Sequence, residues 1–310
     1  MHLTDRDGTP YDASQRPARL DVGVVGAGRV GAVLGAALAR AGHRVVATSA
    51  VSAASRERAE TLLPGVPVMD VAAVVQAAEL VLLTVPDDAL PGVVAGLSAT
   101  GAWQPGQIAV HTSGRYGVGV LDPVRPAHVI PLAIHPAMTF SGTSADLAAL
   151  ADCCFGVTAP EAARPVAEAL VLEIGGEPVW VEEDDRARYH AALSHGANHL
   201  VTLVAQAMQV LAGAGVAAPD RVLGPLLGTA LDNALRRGDA ALTGPVARGD
   251  AGTVAAHLRE LRSETPDVLA AYVAMARATA ERALASGRLA PTSAEALLEA
   301  LSDRRSPDQE

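Results

Sequence analysis

The 310-residue chain contains no lysine, and all 24 of its basic side chains are arginines. A guanidinium stays protonated under ordinary conditions and is a poor proton donor. A lysine general acid, a Schiff base and a P-loop lysine are therefore excluded. Cysteine is nearly absent as well: Cys153 and Cys154 are the only two, and they are adjacent. Neighbouring cysteines do not close an unstrained disulfide, and two thiols do not make a zinc site. They read as small residues of the apolar run Cys153–Val157 in a reducing cytoplasm. Positive charge is in deficit, with 34 acidic residues and a formal net charge of -10. That excludes a broad nucleic-acid surface and leaves room for a local basic pocket around one phosphate. A signal peptide is not expected, because Asp5, Arg6 and Asp7 stand where an apolar stretch is needed. Residues 1–19 read instead as a disordered lead-in. The most apolar run, Leu200–Ala218, is interrupted by Thr202, Gln206 and Gln209, which favours a buried helix over a membrane span.

What is present is ample apolar material, 50% of the chain, and a clear change of pattern along it. From residue 20 to 135, short apolar runs alternate with helical stretches. Strands are expected at Leu20–Val25, Arg44–Ser49, Val66–Met69, Leu80–Val85, Gln107–Thr112 and His128–Ile134. Helices are expected at Arg29–Ala41, Arg56–Leu63 and Val71–Ala77. Strands separated by helices imply parallel pairing with right-handed crossovers. Two further strands, Cys154–Thr158 and Pro178–Val181, flank a helix over Glu161–Glu173. From Glu183 onward the pattern is helical: one long helix over Asp184–Gly213, then Pro219–Arg237, Ala251–Arg262, Pro266–Ala285 and Thr292–Leu301. Thr292 with Glu295 reads as a capping box. The expected fold is a doubly wound, mainly parallel α/β domain at 20–182 followed by an all-α domain at 183–302, with a frayed tail at 303–310.

The strongest motif is Gly26-Ala27-Gly28-Arg29-Val30-Gly31, which follows a strand and opens a helix. In that context G-x-G-x-x-G reads as a Rossmann dinucleotide turn. Gly26 permits the turn, Gly28 admits a pyrophosphate, and Gly31 lets the helix pack on the strand. Enzymes that use NAD place a carboxylate on the ribose about twenty residues further on. Here no Asp or Glu occurs between Asp21 and Glu57; Ser49, Ser52, Ser55 and Arg56 stand there instead. Hydroxyls and guanidinium groups suit a ribose phosphate, so NADP(H) is expected over NAD(H). Arg29 is a second candidate for that phosphate.

Ligands of open parallel sheets lie off the carboxyl ends of the strands. Val85 and Pro86 end the fourth such strand and are expected beside the cofactor, with Asp87 and Asp88 capping the next helix. His111-Thr112-Ser113-Gly114 ends the following strand, and His135-Pro136 the one after. A carbonyl under reduction needs a proton on oxygen, and histidine is the natural donor near neutral pH. His111 and His135 are both candidates, and Ser113 could hydrogen-bond the same oxygen. On the long helical stretch, Asn198 is a candidate substrate holder. His195 and His199 lack the glutamate and third ligand of a metal site, so no metal is expected. Thr243 and Arg248, in a glycine-punctuated turn, are candidate contacts for a substrate carboxylate, and Asp250 reads as a helix N-cap.

Beyond the glycine turn, Thr84-Val85-Pro86-Asp87-Asp88, His111-Thr112-Ser113-Gly114, His135-Pro136, Asn198-His199, Asp232-Asn233, Leu242-Thr243-Gly244-Pro245 and Arg248-Gly249-Asp250 together carry a resemblance. Over about residues 20–285 the chain resembles the Rossmann-like proteins whose helical C-terminal domain is designated a domain of unknown function, DUF2520. These are distant relatives of ketopantoate reductase, pyrroline-carboxylate reductase and the phosphogluconate dehydrogenase superfamily. The resemblance implies a cytoplasmic NADPH-dependent reductase of a small carbonyl acid, ketopantoate first among them, and a homodimer formed through the helical domain. An imine reductase and a non-catalytic NADP-binding sensor or scaffold are the alternatives. No nucleic acid or membrane partner is expected.

Overall fold

The computed structural model describes residues 19–302. Apart from Arg19, the lead-in and tail expected at 1–19 and 303–310 lie outside the described residues. The described chain divides into two compact units, with the boundary after Gly196.

The first unit is built on a seven-stranded sheet. Its strands are β1 (Asp21–Val25), β2 (Arg44–Ser49), β3 (Leu80–Leu83), β4 (Ile108–His111), β5 (Ile130–Pro136), β6 (Cys154–Thr158) and β7 (Glu177–Trp180), in the order β2-β1-β3-β4-β5-β6-β7. All neighbours pair in parallel except β5 with β6. The helices are α1 (Arg29–Ala41), α2 (Ala53–Leu62), α3 (Val71–Gln76), α4 (Leu90–Ala99), α5 (Asp146–Ala149), α6 (Arg164–Glu173) and α7 (Arg186–Leu193). Side chains alternate across a strand, and the core divides accordingly. Val22, Val24, Leu80, Leu82 and Val110 face Leu34, Leu38, Leu170 and Val171 of α1 and α6. Val25, Val81, Leu83 and Ala109 face Val74, Val75, Val94 and Leu97 of α3 and α4. All four residues of β3 are buried, as befits a strand covered on both faces. Chain order reverses between β1 and β3, which opens the switch-point crevice at the ends of those strands.

Local differences from expectation have identifiable causes. Val66–Met69 contributes only a single parallel bridge, Val68 to Thr48, because Gly65 and Pro67 interrupt a strand that would lie outside β2. Asp87 and Asp88 do not cap α4, whose N-cap is Ala89 without a side-chain bond. The Pro86 carbonyl accepts from the Ala89 and Leu90 amides, and Asp88 faces Arg115 at 3.7 Å.

The second unit comprises α8 (His199–Gly213), α9 (Pro219–Arg237), α10 (Gly244–Arg248), α11 (Ala251–Glu264), α12 (Pro266–Ala285) and α13 (Pro291–Ala300). Val254 and Leu258 of α11 and Leu297 of α13 pack on Ala276, Ala280 and Ala283 of α12, whose small side chains allow the helices to approach. Asp250 caps α11, accepting from Thr253 N at 3.0 Å. The capping box at Thr292 does not form: α13 begins at Pro291 behind Ala290, and a proline in the first turn supplies the start signal instead.

The single helix expected over 184–213 is divided. A 3-10 turn at Glu183–Asp185 precedes α7, and a π-helical segment, Ser194–Asn198, separates α7 from α8. The domain boundary moves with it, from the expected 182/183 to 196/197. The reason is physical: Arg186 and Tyr189 of α7 are bound to groups of the sheet unit, as described next.

Candidate cofactor and proton-transfer site

At the end of β1 the glycine turn leaves space in one place and none in another. Gly26 has φ +98°, in the left-handed region, with the Thr84 carbonyl close by. Thr84 Oγ1 donates to Gly26 O at 2.7 Å, which ties the turn to β3. A Cβ on Gly31 would collide with Gly26 O and Thr84 Oγ1, whereas a Cβ on Gly28 would meet nothing within 4 Å. The Gly26, Ala27 and Gly28 amides bond to Ser49 Oγ, Ser49 O and Gly26 O. The first-turn amides of Arg29 and Val30, the latter half-buried, lie where a helix has no internal acceptors. α1 has neither a side-chain cap nor an acidic residue in its first turn. The helix therefore keeps its positive end for an external anion.

The end of β2 corrects part of the sequence reading. The three serines expected to face a ribose phosphate are engaged locally. Ser49 Oγ holds the Gly26 amide, Ser52 caps α2 through the Ser55 amide, and Ser55 Oγ donates to Ser52 O. Arg56 is exposed. Arg58 sits beside Arg29: a Cβ on Gly142 would lie 2.9 Å from both Arg29 Cγ and Arg58 Cδ. Arg58 Nε is buried with no hydrogen-bond partner.

At the ends of β4 and β5 the two candidate histidines differ sharply. His111 is fully buried. Its Nε2–H donates to Gly117 O at 2.8 Å, and its Nδ1 accepts from Ser113 N at 3.2 Å. Both ring nitrogens are thus committed to the main chain of the following turn. Burial, with the nearby Arg186 charge, pushes its pKa down to about 4. The expectation that His111 supplies the proton is corrected: it holds a loop. His135 is half-buried, with Nδ1 3.0 Å from Tyr189 Oη. Its Nε2 points toward Gly114, where a Cβ would lie 3.0 Å from that nitrogen and 2.5 Å from His190 Cδ2. Burial first, then Arg186, His190 and His111, push the His135 pKa down to about 3. His135 is therefore neutral at physiological pH. Ser113 is buried; its Oγ accepts from Tyr116 N at 3.3 Å, and its hydroxyl proton has no acceptor among the described residues.

Behind the histidines lies a residue the sequence reading missed. Arg186 is 1% exposed and binds three main-chain carbonyls: Tyr116 O at 2.9 Å, Gly156 O at 3.0 Å and Ser113 O at 2.5 Å. No carboxylate among the described residues pairs with it directly. Glu183 and Asp87 act on it only at longer range, and burial lowers its pKa. Glu183 instead accepts from the Val118 and Gly119 amides at 2.7 and 2.9 Å. No short motif announces Arg186, Tyr189 and His190. Their i, i+3, i+4 spacing, which puts them on one helix face, was the available signal.

Val85 and Pro86 follow β3 beside the glycine turn, Val85 half-buried and Pro86 exposed. Asn198, Thr243 and Arg248 belong to the second unit, and all three are exposed. Among the described residues no helix is long and apolar enough to cross a membrane.

No functionally curated protein matches the chain. Two family models do: a Rossmann-like domain over residues 6–136 and the domain of unknown function DUF2520 over residues 153–279. Similar solved structures include a candidate NADP oxidoreductase from Bacteroides fragilis, with TM-score 0.72 and 22% identity, covering 85% of this chain and 98% of that one. A Thermotoga maritima protein matches with TM-score 0.60 and 21% identity over 86% and 99% of the two chains. An imine reductase variant from Myxococcus stipitatus, in complex with NAD+, matches with TM-score 0.59 and 18% identity over 85% and 94%. At these identities the likeness is one of fold.

Proposed function

The chain belongs to the Rossmann-like proteins that carry a C-terminal DUF2520 domain, and on that premise we propose that it is an NADPH-dependent reductase of a small carbonyl acid, with 2-dehydropantoate (ketopantoate) to pantoate as the leading reaction. One observation carries the reading: the open, uncapped turn at Gly28 and the His135 Nε2 facing Gly114 lie on the same carboxyl edge of one sheet. Oxidoreductase names among the structural neighbours agree with it.

In this reading Gly28 and the first turn of α1 hold the pyrophosphate. Arg29, Arg56 and Arg58 face the ribose phosphate, and Val85 and Pro86 line the approach to the nicotinamide. The bound cofactor supplies a hydride. His135, neutral with its proton on Nε2, donates a hydrogen bond to the substrate oxygen and passes that proton as charge develops there. Ser113 has a free hydroxyl proton for the same oxygen. The partly uncompensated charge of Arg186 favours an anionic substrate and an anionic transition state. The homodimer implied by the resemblance is supported by apolar side chains left exposed on α8 and α9, among them Val201, Leu226 and Leu235.

A specific observation also favours imines as the second substrate class. With a pKa of about 3, His135 is a weak proton source on its own, and an iminium ion arrives already protonated. Following NADPH oxidation across 2-oxo acids and cyclic imines separates the readings. Turnover of 2-oxo acids, ketopantoate foremost, is expected. Turnover of imines alone would transfer the site to the second class, and tight NADPH binding without any turnover would mark a binding protein.

A further inference from the structure

We propose that Tyr189 is the source of the proton that His135 delivers, acting through the imidazole ring rather than touching the substrate itself. This rests on the reductase reading above and on the geometry of four groups within the first unit. Tyr189 Oη lies 3.0 Å from His135 Nδ1, with the rings edge to face at 5.6 Å. The phenolic oxygen lies close against Gly156, where a Cβ would lie 2.5 Å from it, and Gly156 is the residue paired with His135 across β5 and β6. In this proposal the phenol donates its hydrogen to Nδ1, and the neutral ring accepts it there. That donation places the His135 proton on Nε2, the nitrogen that faces Gly114 beside the His190 ring. The Arg186 guanidinium lies 5.5 Å from the Tyr189 ring. Tyr189 is half-buried and can exchange its proton with water.

A hydride from the reduced nicotinamide forms the new C–H bond, and the carbonyl π pair becomes a lone pair on oxygen. That oxygen takes the Nε2 proton of His135. His135 Nδ1 takes the phenolic proton of Tyr189, so the ring ends neutral and in the opposite tautomer. The phenolate left behind is stabilised by the Arg186 charge. The site resets when water returns a proton to Nε2 and the phenolate recovers its own from Nδ1. A neutral imidazole with a low pKa is unsuited to act as a charged acid but well suited to pass a proton in one face and out of the other.

The charged and titratable groups around the pair are Arg186, His190 and His111 about His135, and Arg186, Cys153 and Cys154 about Tyr189. Burial raises the Tyr189 pKa, while the Arg186 charge opposes that rise. The phenol is thus protonated at neutral pH and available as a donor to an alkoxide.

The first test needs neither cofactor nor substrate. The full chain is labelled with 15N-histidine and the His135 ring nitrogens are followed by NMR in wild type and Tyr189→Phe, a change that keeps the ring and its packing. Wild type is expected as the neutral Nε2–H tautomer from pH 7 to 5, with mixed tautomers in Tyr189→Phe. An Nδ1–H ring in wild type, or an unchanged tautomer in the variant, overturns the proposal. The second test is kinetic. Tyr189→Phe is expected to lower kcat about 10²-fold with unchanged NADPH affinity. Fluorotyrosine placed at 189, with its more acidic phenol, is expected to move the basic limb of the kcat–pH profile to lower pH, which a packing role would not do. Full kcat in Tyr189→Phe, with activity lost in His135→Gln, overturns the relay and leaves the reductase reading standing. A wild-type chain that reduces no carbonyl or imine overturns both.

Discussion

Around Gly26–Gly31 the polypeptide leaves room and free donors, whereas around His111 and Arg186 nearly every polar atom already has a protein partner. α1 starts without a cap, a Cβ on Gly28 would touch nothing, and Arg58 Nε is unpaired. A few strands away, both nitrogens of His111 bind main chain, and Arg186 holds three carbonyls. The same sheet edge therefore combines a half built to be completed by a ligand with a half completed by the fold itself. His135 Nε2 and the Ser113 hydroxyl proton belong to the polar groups of the second half that have no protein partner among the described residues. In the proposed reading, such an arrangement would hold His135 and Ser113 rigidly where a mobile cofactor end must be aligned against them.

The largest expected effects come from glycines that look alike in the sequence. Gly28 has φ -71°, which any residue adopts, and open space at its Cβ. Gly28→Val should melt close to wild type yet lose cofactor affinity by more than about 100-fold, because the side chain fills the volume a pyrophosphate needs. Gly31→Ala should do the reverse, destabilising the chain by about 3 kcal/mol through overlap with Gly26 O and Thr84 Oγ1. Thermal melts beside fluorescence titrations with NADPH read both quantities. Normal NADPH binding by a folded Gly28→Val variant would remove the ligand from this turn.

The second test acts on the filled half. His111 and His135 are held neutral, with pKa values near 4 and 3 against 6.5 for the free side chain. Between the folded and unfolded pKa values the unfolded chain binds more protons, so stability rises with pH there. The contribution is complete above about pH 6.5 and is lost as pH falls toward 4. For fully buried His111 it is on the order of 3 kcal/mol. The melting temperature should therefore drop between pH 7 and 4.5, and His111→Asn, less stable at neutral pH, should show a shallower drop. A flat profile in wild type would mean that the histidines are not enclosed as described.

Legibility in the sequence divides along the same line. The open half depends on local pattern: a strand, glycines at fixed spacing and a helix. Arg29–Ala41, Arg44–Ser49 and Cys154–Thr158 have the limits the pattern implies. The filled half depends on residues far apart in the chain. Arg186 meets Ser113, Tyr116 and Gly156 across separations of 73, 70 and 30 residues, which no periodicity encodes. His111 and His135 look equivalent in sequence, each at a strand end. The Gly117 carbonyl and Ser113 amide bound to His111, and the Tyr189 hydroxyl bound to His135, distinguish the committed ring from the available one. The boundary shifted for the same reason, since an amphipathic pattern does not say which unit a helix face packs on. At the end of β2 the missing carboxylate was legible, but the serines' engagement in the turn and the α2 cap was not.

The smallest expected effect, and the one that sharpens the comparison most, concerns Arg58. The sequence pointed to Arg56, which is exposed on α2, while Arg58 lies one position beyond the next and carries the buried, unpartnered Nε. Arg58 Cδ and Arg29 Cγ flank Gly142, in a loop whose nearby carboxylate is already occupied. Asp146 accepts from Ser141 Oγ at 2.8 Å and from Gly142 N at 2.7 Å, so its charge is held by the loop rather than by the arginines. Two arginines whose stems flank one glycine, with no carboxylate partner among the described residues, suit a dianionic phosphate. A hydrogen bond to a charged group contributes about 1.5–3 kcal/mol, and the exposed rim of such a site sits at the lower end. Wild type is expected to prefer NADPH over NADH by at least about tenfold. Arg58→Gln should weaken NADPH about tenfold and leave NADH nearly unchanged, while Arg56→Gln should cost less because its side chain is solvated. Titration of all three proteins with both reduced cofactors measures this directly. Equal losses for NADPH and NADH in Arg58→Gln would place that side chain away from the 2′-phosphate and return the selectivity to the absent carboxylate alone.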